Sequence, residues 1–208
     1  MGKIAMSDIV KAMEHVYTAV SKHHPELNEL HTVMFTVYID QRGAKRGHYW
    51  YNAWHEKTEE GQVQQDRDEV YINSDILVEG AESVMRTILH EACHGLARAR
   101  GIKDTSSGGR YHNKRFKAIA EEVGLSVQKS KHGWSTPGLS DAAKARYANE
   151  MAVLEGVLKY YQFRTPKKSR NCRLVKAVCD CGRIIRLSRK VFEEGDIVCD
   201  LCGSRFEA

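Results

Sequence analysis

Apolar residues along this chain follow two rhythms, one returning every three or four positions and one alternating. Between Ser7 and His23 the first rhythm puts Ile9, Val10, Met13, Val16, Tyr17 and Val20 on one face, which predicts an amphipathic helix with Ser7 as N-cap and Pro25 beyond its end. From Ala81 to Gly101 it returns, and Val84, Ile88, Leu89, Ala92, Cys93 and Leu96 make a face broad enough for a core helix. A third helix is expected from His112 to Val123. A fourth is expected from Ser140 to Tyr161, with Ser140 as N-cap and Ala145, Ala148, Met151, Ala152, Leu154 and Leu158 as its apolar positions. The stretches His31 to Asp40, Arg46 to Trp54 and Glu69 to Asn73 are rich in β-branched and aromatic residues and predict three strands, with Gly43 and Gly61 in the turns. No helical pattern separates these strands, so a small, mainly antiparallel sheet and an α+β fold follow. Ser126 to Leu139, with two glycines and a proline, is expected to be irregular.

The helix from Ala81 to Gly101 also carries chemistry, because it contains His90-Glu91-Ala92-Cys93-His94. Residues four apart share a helix face, so His90 and His94 can offer two imidazoles to one metal ion, and zinc is the usual occupant of such a pair. Glu91, one position on, projects beside the ion, where a carboxylate can take a proton from water and hand it to a departing amine. A chance pattern on a solvated surface helix would mean nothing, but the broad apolar face places this helix in a core, where unpaired ionisable groups are costly. Cys93 reads as a small buried hydrophobe.

A catalytic zinc normally has three protein ligands, so the chain must supply another. A metzincin would have glycine and histidine three and six positions after the second histidine, but Ala97 and Arg100 stand there. The favoured third ligand is His112, which follows a turn-rich loop from Gly101 to Arg110 able to bring it back to the motif. Glu121 and Glu122 are the rivals, and His132 ranks behind them. A sheet packed on the metal helix is the zincin plan. The strand Arg46 to Trp54 is the candidate rim of the cleft, where an extended substrate would pair through its main chain; Tyr49, Trp50, Tyr51 and Trp54 face that substrate or pack the core.

Cysteine usage adds a second unit. Four of the six cysteines fall in two close pairs, Cys179 with Cys181 and Cys199 with Cys202, a spacing suited to one structural zinc in a unit too small to fold on an apolar core alone. The first pair is C-x-C, one residue shorter than the usual knuckle, and Cys172 is the reserve ligand. The domains expected are 1–163 for the peptidase, 164–171 for a basic linker containing Pro166, and 172–208 for a zinc ribbon. Two zinc ions are therefore expected, one catalytic and one structural.

Charge points to a partner. Residues 1–163 hold 21 Lys/Arg and 21 Asp/Glu, whereas residues 164–208 hold 11 and 6, so the net charge of +5 sits in the tail. Lys167, Lys168, Arg170 and Arg173 are the candidate contacts to a phosphate backbone; the alternative is a solvated basic linker without a partner. No run is long and apolar enough to span a membrane, and the first residues lead into an amphipathic helix rather than a signal peptide, so a cytoplasmic protein is expected.

The motif His90-Glu91-x-x-His94, the polar glycine-containing loop, His112 followed by Phe116, and the closing cysteine ribbon together resemble the SprT-like zinc metallopeptidases, which include the Spartan DNA-dependent proteases. The resemblance covers most of the chain, with the metal motif and the ribbon as its specific parts. It implies zinc ligation by His90, His94 and His112, Glu91 as catalytic acid and base, and a protein substrate bound to or crosslinked with DNA. Two other readings compete: a nucleic-acid-binding zinc protein without catalysis, and a metallopeptidase that cuts a regulator without any DNA requirement.

Overall fold

The computed structural model describes residues 4–28, 33–40, 45–57, 63–162 and 174–208. The chain divides into two compact units, Met1–Arg164 and Thr165–Ala208. The four basic residues proposed as phosphate contacts, Lys167, Lys168, Arg170 and Arg173, lie outside the described residues, as does Cys172. No helix among the described residues is long and apolar enough to cross a membrane.

Helix α1 (Met6–His23) starts earlier than Ser7 would have it. Ala5 occupies the N-cap and has no side chain to cap the first turn, but the Asp8 carboxylate reaches back to accept the Ala5 N–H at 2.7 Å, the reciprocal half of a capping box. Three strands follow: β1 (Val33–Tyr38), β2 (Gly47–Lys57) and β3 (Val63–Asn73). Their order is β1-β3-β2, with β2 antiparallel to β3 but β1 parallel to it, so the sheet is mixed rather than mainly antiparallel. The strands run in alternating directions along the chain, as hairpins would. The third, however, slots between the first two, because Val70, Tyr71 and Ile72 are buried on both faces and belong in the middle. That leaves β2 as an edge.

Helix α2 (Ala81–Ala99) is the centre of the first unit, and Val84, Met85, Ile88, Leu89, Ala92, Cys93 and Leu96 are fully buried on it. Burying seven such side chains removes on the order of 10 kcal/mol of apolar hydration cost, which fixes the helix against α1, the sheet and the elements after it. The Cys93 thiol donates to the Leu89 carbonyl at 3.1 Å, as expected for a small core residue. Two short strands, β4 (Thr105–Ser106) and β5 (Tyr111–His112), lead to α3 (Lys114–Val123).

The stretch expected to be irregular is a hairpin, β6 (Leu125–Ser130) and β7 (Gly133–Leu139), in a second sheet of order β4-β5-β7-β6. Pro137 is tolerated because it falls where the β6–β7 register shifts between Ser126 and Gln128, and no regular ladder bond is needed there. The last expected helix is two, α4 (Asp141–Arg146) and α5 (Ala148–Val157), broken at Tyr147, whose side chain is buried and meets His23 edge-on. The break changes the phase of the helix, so Ala143, Tyr147 and Leu154 are buried while the expected Ala145 and Ala148 are exposed. Ser140 caps α4 as read, accepting the Ala143 N–H at 3.2 Å.

The second unit is small: a hairpin of β8 (Val175–Val178) and β9 (Ile184–Leu187), then α6 (Arg189–Glu193), around a core of Ala177, Cys179, Cys199 and Phe206.

Candidate metal centres and the cleft

Successive turns of α2 bring His90 and His94 onto one face, and β5 delivers His112 to them; the three residues offer ring nitrogens that all lie within 4.8 Å of one another. His112 does not open α3 as its sequence position suggested. Asn113 caps that helix, accepting the N–H groups of Arg115 at 2.7 Å and Phe116 at 3.3 Å, and so leaves His112 in a strand. Phe116, fully buried one turn into α3, packs its ring against all three imidazoles, at centroid distances of 5.0, 5.2 and 4.1 Å from His90, His94 and His112.

Each imidazole is held from behind. His90 Nδ1 meets Thr136 Oγ1 of β7 at 2.9 Å, His94 Nδ1 meets an Asp104 carboxylate oxygen at 2.5 Å, and the His112 ring bonds to the backbone of Trp134. Such anchors fix ring orientation and, for His90 and His94, leave Nε2 as the free ligand atom. Burial pushes the His90 pKa well down, and burial followed by the charge of His94 pushes that of His112 down to about 4. At His94 burial is again the largest single influence and opposes the charge, but Asp104 and Glu91 together outweigh it and the net shift is upward. The donor set therefore fits a zinc ion: three convergent imidazoles, two of them held neutral, each with a partner on its far side.

None of these anchors was legible in the sequence. Asp104 lay inside a loop read only for its turns, and Thr136 in a segment read as irregular. We expect Asp104→Asn to keep the fold but weaken metal binding about 10- to 100-fold in a chelator competition, because a charged acceptor behind His94 becomes a neutral one.

Gly133, at φ +90°, lets β7 run against His112: a Cβ there would lie 2.1 Å from the His112 carbonyl oxygen. Gly133→Ala is expected to lower stability by about 2 kcal/mol or more in denaturant unfolding, and to loosen His112.

Glu91 is buried beside the histidines, and burial pushes its carboxyl up to about 7 against the smaller opposing effects of His94, Lys45 and a hydrogen bond to the Tyr49 backbone. Gly47 of β2 makes room for it, since a Cβ there would come within 3.0 Å of Glu91 Oε1 and 2.7 Å of the Tyr71 carbonyl oxygen. The carboxylate thus sits between the three imidazoles and β2.

Two cavities flank this centre and share Gly47, His90, Glu91 and His112. One, of about 600 Å³, is lined by Lys45, His48, Tyr49 and Tyr51 of the β2 side and by Arg98 and Asp104; the other, of about 330 Å³, runs toward Arg86 and Trp134. Of the aromatic residues on β2, Tyr49 packs inward, its hydroxyl bonding Asp68, whereas Trp50 and Tyr51 are exposed. Trp134 both packs against the core and stacks under the Lys117 ammonium, 4.6 Å from the ring centroid.

None of the rival ligands joins the three converging ring nitrogens. Glu122 pairs with Arg100 at 2.7 Å, Glu121 with Lys117 at 3.5 Å, and His132 is exposed at the β6–β7 turn, where its carbonyl accepts the His112 N–H at 3.2 Å.

In the second unit Cys179, Cys181, Cys199 and Cys202 offer sulfurs within 4.8 Å of one another and could hold a metal ion. The short C-x-C pair is no obstacle: Cys179 Sγ and Cys181 Sγ are 3.1 Å apart, and Cys181 Sγ is 3.7 Å from Cys199 Sγ. Four thiols converging in so small a unit fit a structural zinc.

No family model matches this chain, and no curated protein or solved structure matches it.

Proposed function

We propose that the chain is a zinc-dependent peptidase of the SprT-like, zincin type, acting on proteins bound to or crosslinked with DNA, with a zinc ribbon as its second unit. The observation that carries the peptidase reading is one arrangement: a buried Glu91 carboxylate next to three convergent, individually anchored imidazoles, on the floor of a cleft whose rim is an edge strand. His90, His94 and His112 would hold a zinc ion, which when bound would supply Lewis-acid chemistry at the scissile carbonyl and the attacking water. Glu91 accepts the water's proton and delivers it to the departing nitrogen; its raised pKa suits both duties near neutral pH. The free edge of β2 pairs with an extended substrate through main-chain groups, which holds the peptide across the cleft without selecting most of its side chains.

The DNA part of the proposal rests on charge. Besides the basic tail, the first unit is uneven: residues 103–139, which include β5, α3 and the β6–β7 hairpin beside the cleft, hold seven Lys/Arg and three Asp/Glu. Glu121, Glu122 and Asp104 are already engaged by Lys117, Arg100 and His94, so this region presents an excess of unpaired positive charge near the site. Two basic regions on one chain can concentrate enzyme and substrate on the same polyanion. The test compares cleavage of a DNA-binding protein and of a protein with no DNA affinity, each with and without single- and double-stranded DNA. Stimulation confined to the DNA-binding protein is expected; equal cleavage of both in every condition would remove DNA from the account and leave a general peptidase.

A further inference from the structure

We infer that the smaller cavity beside the metal centre is a subsite for a carboxylate-bearing substrate residue, Asp or Glu, next to the scissile bond, with Arg86 as its specificity-determining residue. The inference rests on the peptidase reading and names part of its substrate class. Arg86 lies on α2 one turn before His90 and lines this cavity together with Arg46, His132 and Trp134. Arg86 donates to neutral oxygens: Nη1 to the carbonyls of Thr136 at 3.1 Å and Pro137 at 3.4 Å, and Nη2 to Ser83 Oγ at 3.5 Å. Among the described residues no carboxylate forms an ion pair with it. The nearby acids are taken, Glu79 by a two-point pair with Arg46 and Glu82 by Lys144 at 2.9 Å.

Burial, and then the neighbouring Arg46 charge, lower the Arg86 pKa against the smaller opposing charges of Glu79 and Glu82, as befits a partly desolvated cation. Arg46 Nε, too, is buried without a hydrogen-bond partner. The one carboxylate lining the cavity is Glu91, which belongs to the reaction centre and is shared with the larger cavity. A half-buried guanidinium anchored through neutral groups keeps its fork geometry and most of its charge for an incoming carboxylate, where a charge-assisted hydrogen bond is stronger than in water. The half-buried Trp134 ring offers an apolar wall for the methylenes of that side chain. Main-chain pairing along β2 does not select side chains, so a cation in a cavity beside the reaction centre is where such selection can enter.

The experiment starts by mapping cleavage sites of the zinc-loaded full chain in a complex peptide mixture by mass spectrometry. Enrichment of Asp and Glu at one of the two positions adjoining the cut is expected. Peptide pairs built on a mapped site, with glutamate or glutamine at that position, should differ about tenfold in kcat/KM for the wild type. The ratio should fall to about one in Arg86→Gln and stay near the wild-type value in Arg86→Lys. Because each ratio is taken within one variant, a general loss of stability or metal does not move it. Cleavage without acidic enrichment, or an unchanged ratio in Arg86→Gln, would overturn the subsite and leave the peptidase standing. Absence of any cleavage by the metal-loaded wild type would overturn both.

Discussion

Glu91→Gln should bind metal as the wild type does and yet lose peptide cleavage by at least about 10²- to 10⁴-fold, the range that a positioned general base contributes. The amide keeps the size of the side chain and its place on α2, and its oxygen can still accept the Tyr49 N–H that now reaches the carboxylate. It cannot take up a proton from water at neutral pH. Removing a buried, partly ionised acid also removes a desolvation cost, so thermal stability should hold or rise slightly. Metal content by elemental analysis, melting temperature and cleavage rate measured on one preparation separate these effects. A variant that loses metal and activity together would show Glu91 to be holding the site rather than working in it.

His112→Ala is expected to be nearly as damaging by a different route. His112 comes from β5, outside the helix that carries His90 and His94, and its ring is stacked on Phe116 with centroids 4.1 Å apart. Alanine leaves two imidazoles on α2 and a cavity over Phe116. Two ligands do not hold a catalytic zinc tightly, so metal content should fall from about two ions per chain to about one while the four cysteines keep theirs. Cobalt substitution makes the distinction visible, since a thiolate site and an imidazole site have different absorption. Retention of both metals with full activity would return Glu121, Glu122 or His132 to consideration as ligand, in spite of the pairs that now occupy both glutamates.

The parts of this architecture that were legible in the sequence are those governed by local periodicity. The apolar face of α2 announced a core helix, and the histidines four apart within it announced a shared face, because both follow from 3.6 residues per turn. The four cysteines converge as their pairing suggested, although the C-x-C turn is tighter than the common knuckle. What periodicity does not encode is which strand takes the middle of a sheet. The run Val70-Tyr71-Ile72 did hold that information, being apolar without alternation, yet a short apolar run reads equally well as an edge strand with one aromatic residue outward. The β6–β7 hairpin was hidden by Gly133, Pro137 and Gly138. Those residues break regular strands, but here they lie at a turn and a register shift, where breaking costs nothing. Thr136 and Asp104 stayed invisible for a further reason: a single hydrogen bond behind a ligand leaves no spacing rule, and only the folded chain brings β7 and the loop after α2 to the two imidazoles.

Zinc-loaded full-length chain incubated with a DNA-binding protein, with new peptide termini read by mass spectrometry, decides whether this cleft hydrolyses peptide bonds. The expected result is a set of termini that appears with zinc, disappears when a chelator strips it, and is absent with Glu91→Gln. A chain carrying metal at both the histidine and the cysteine cluster that generates no new terminus, with DNA or without, would contradict it.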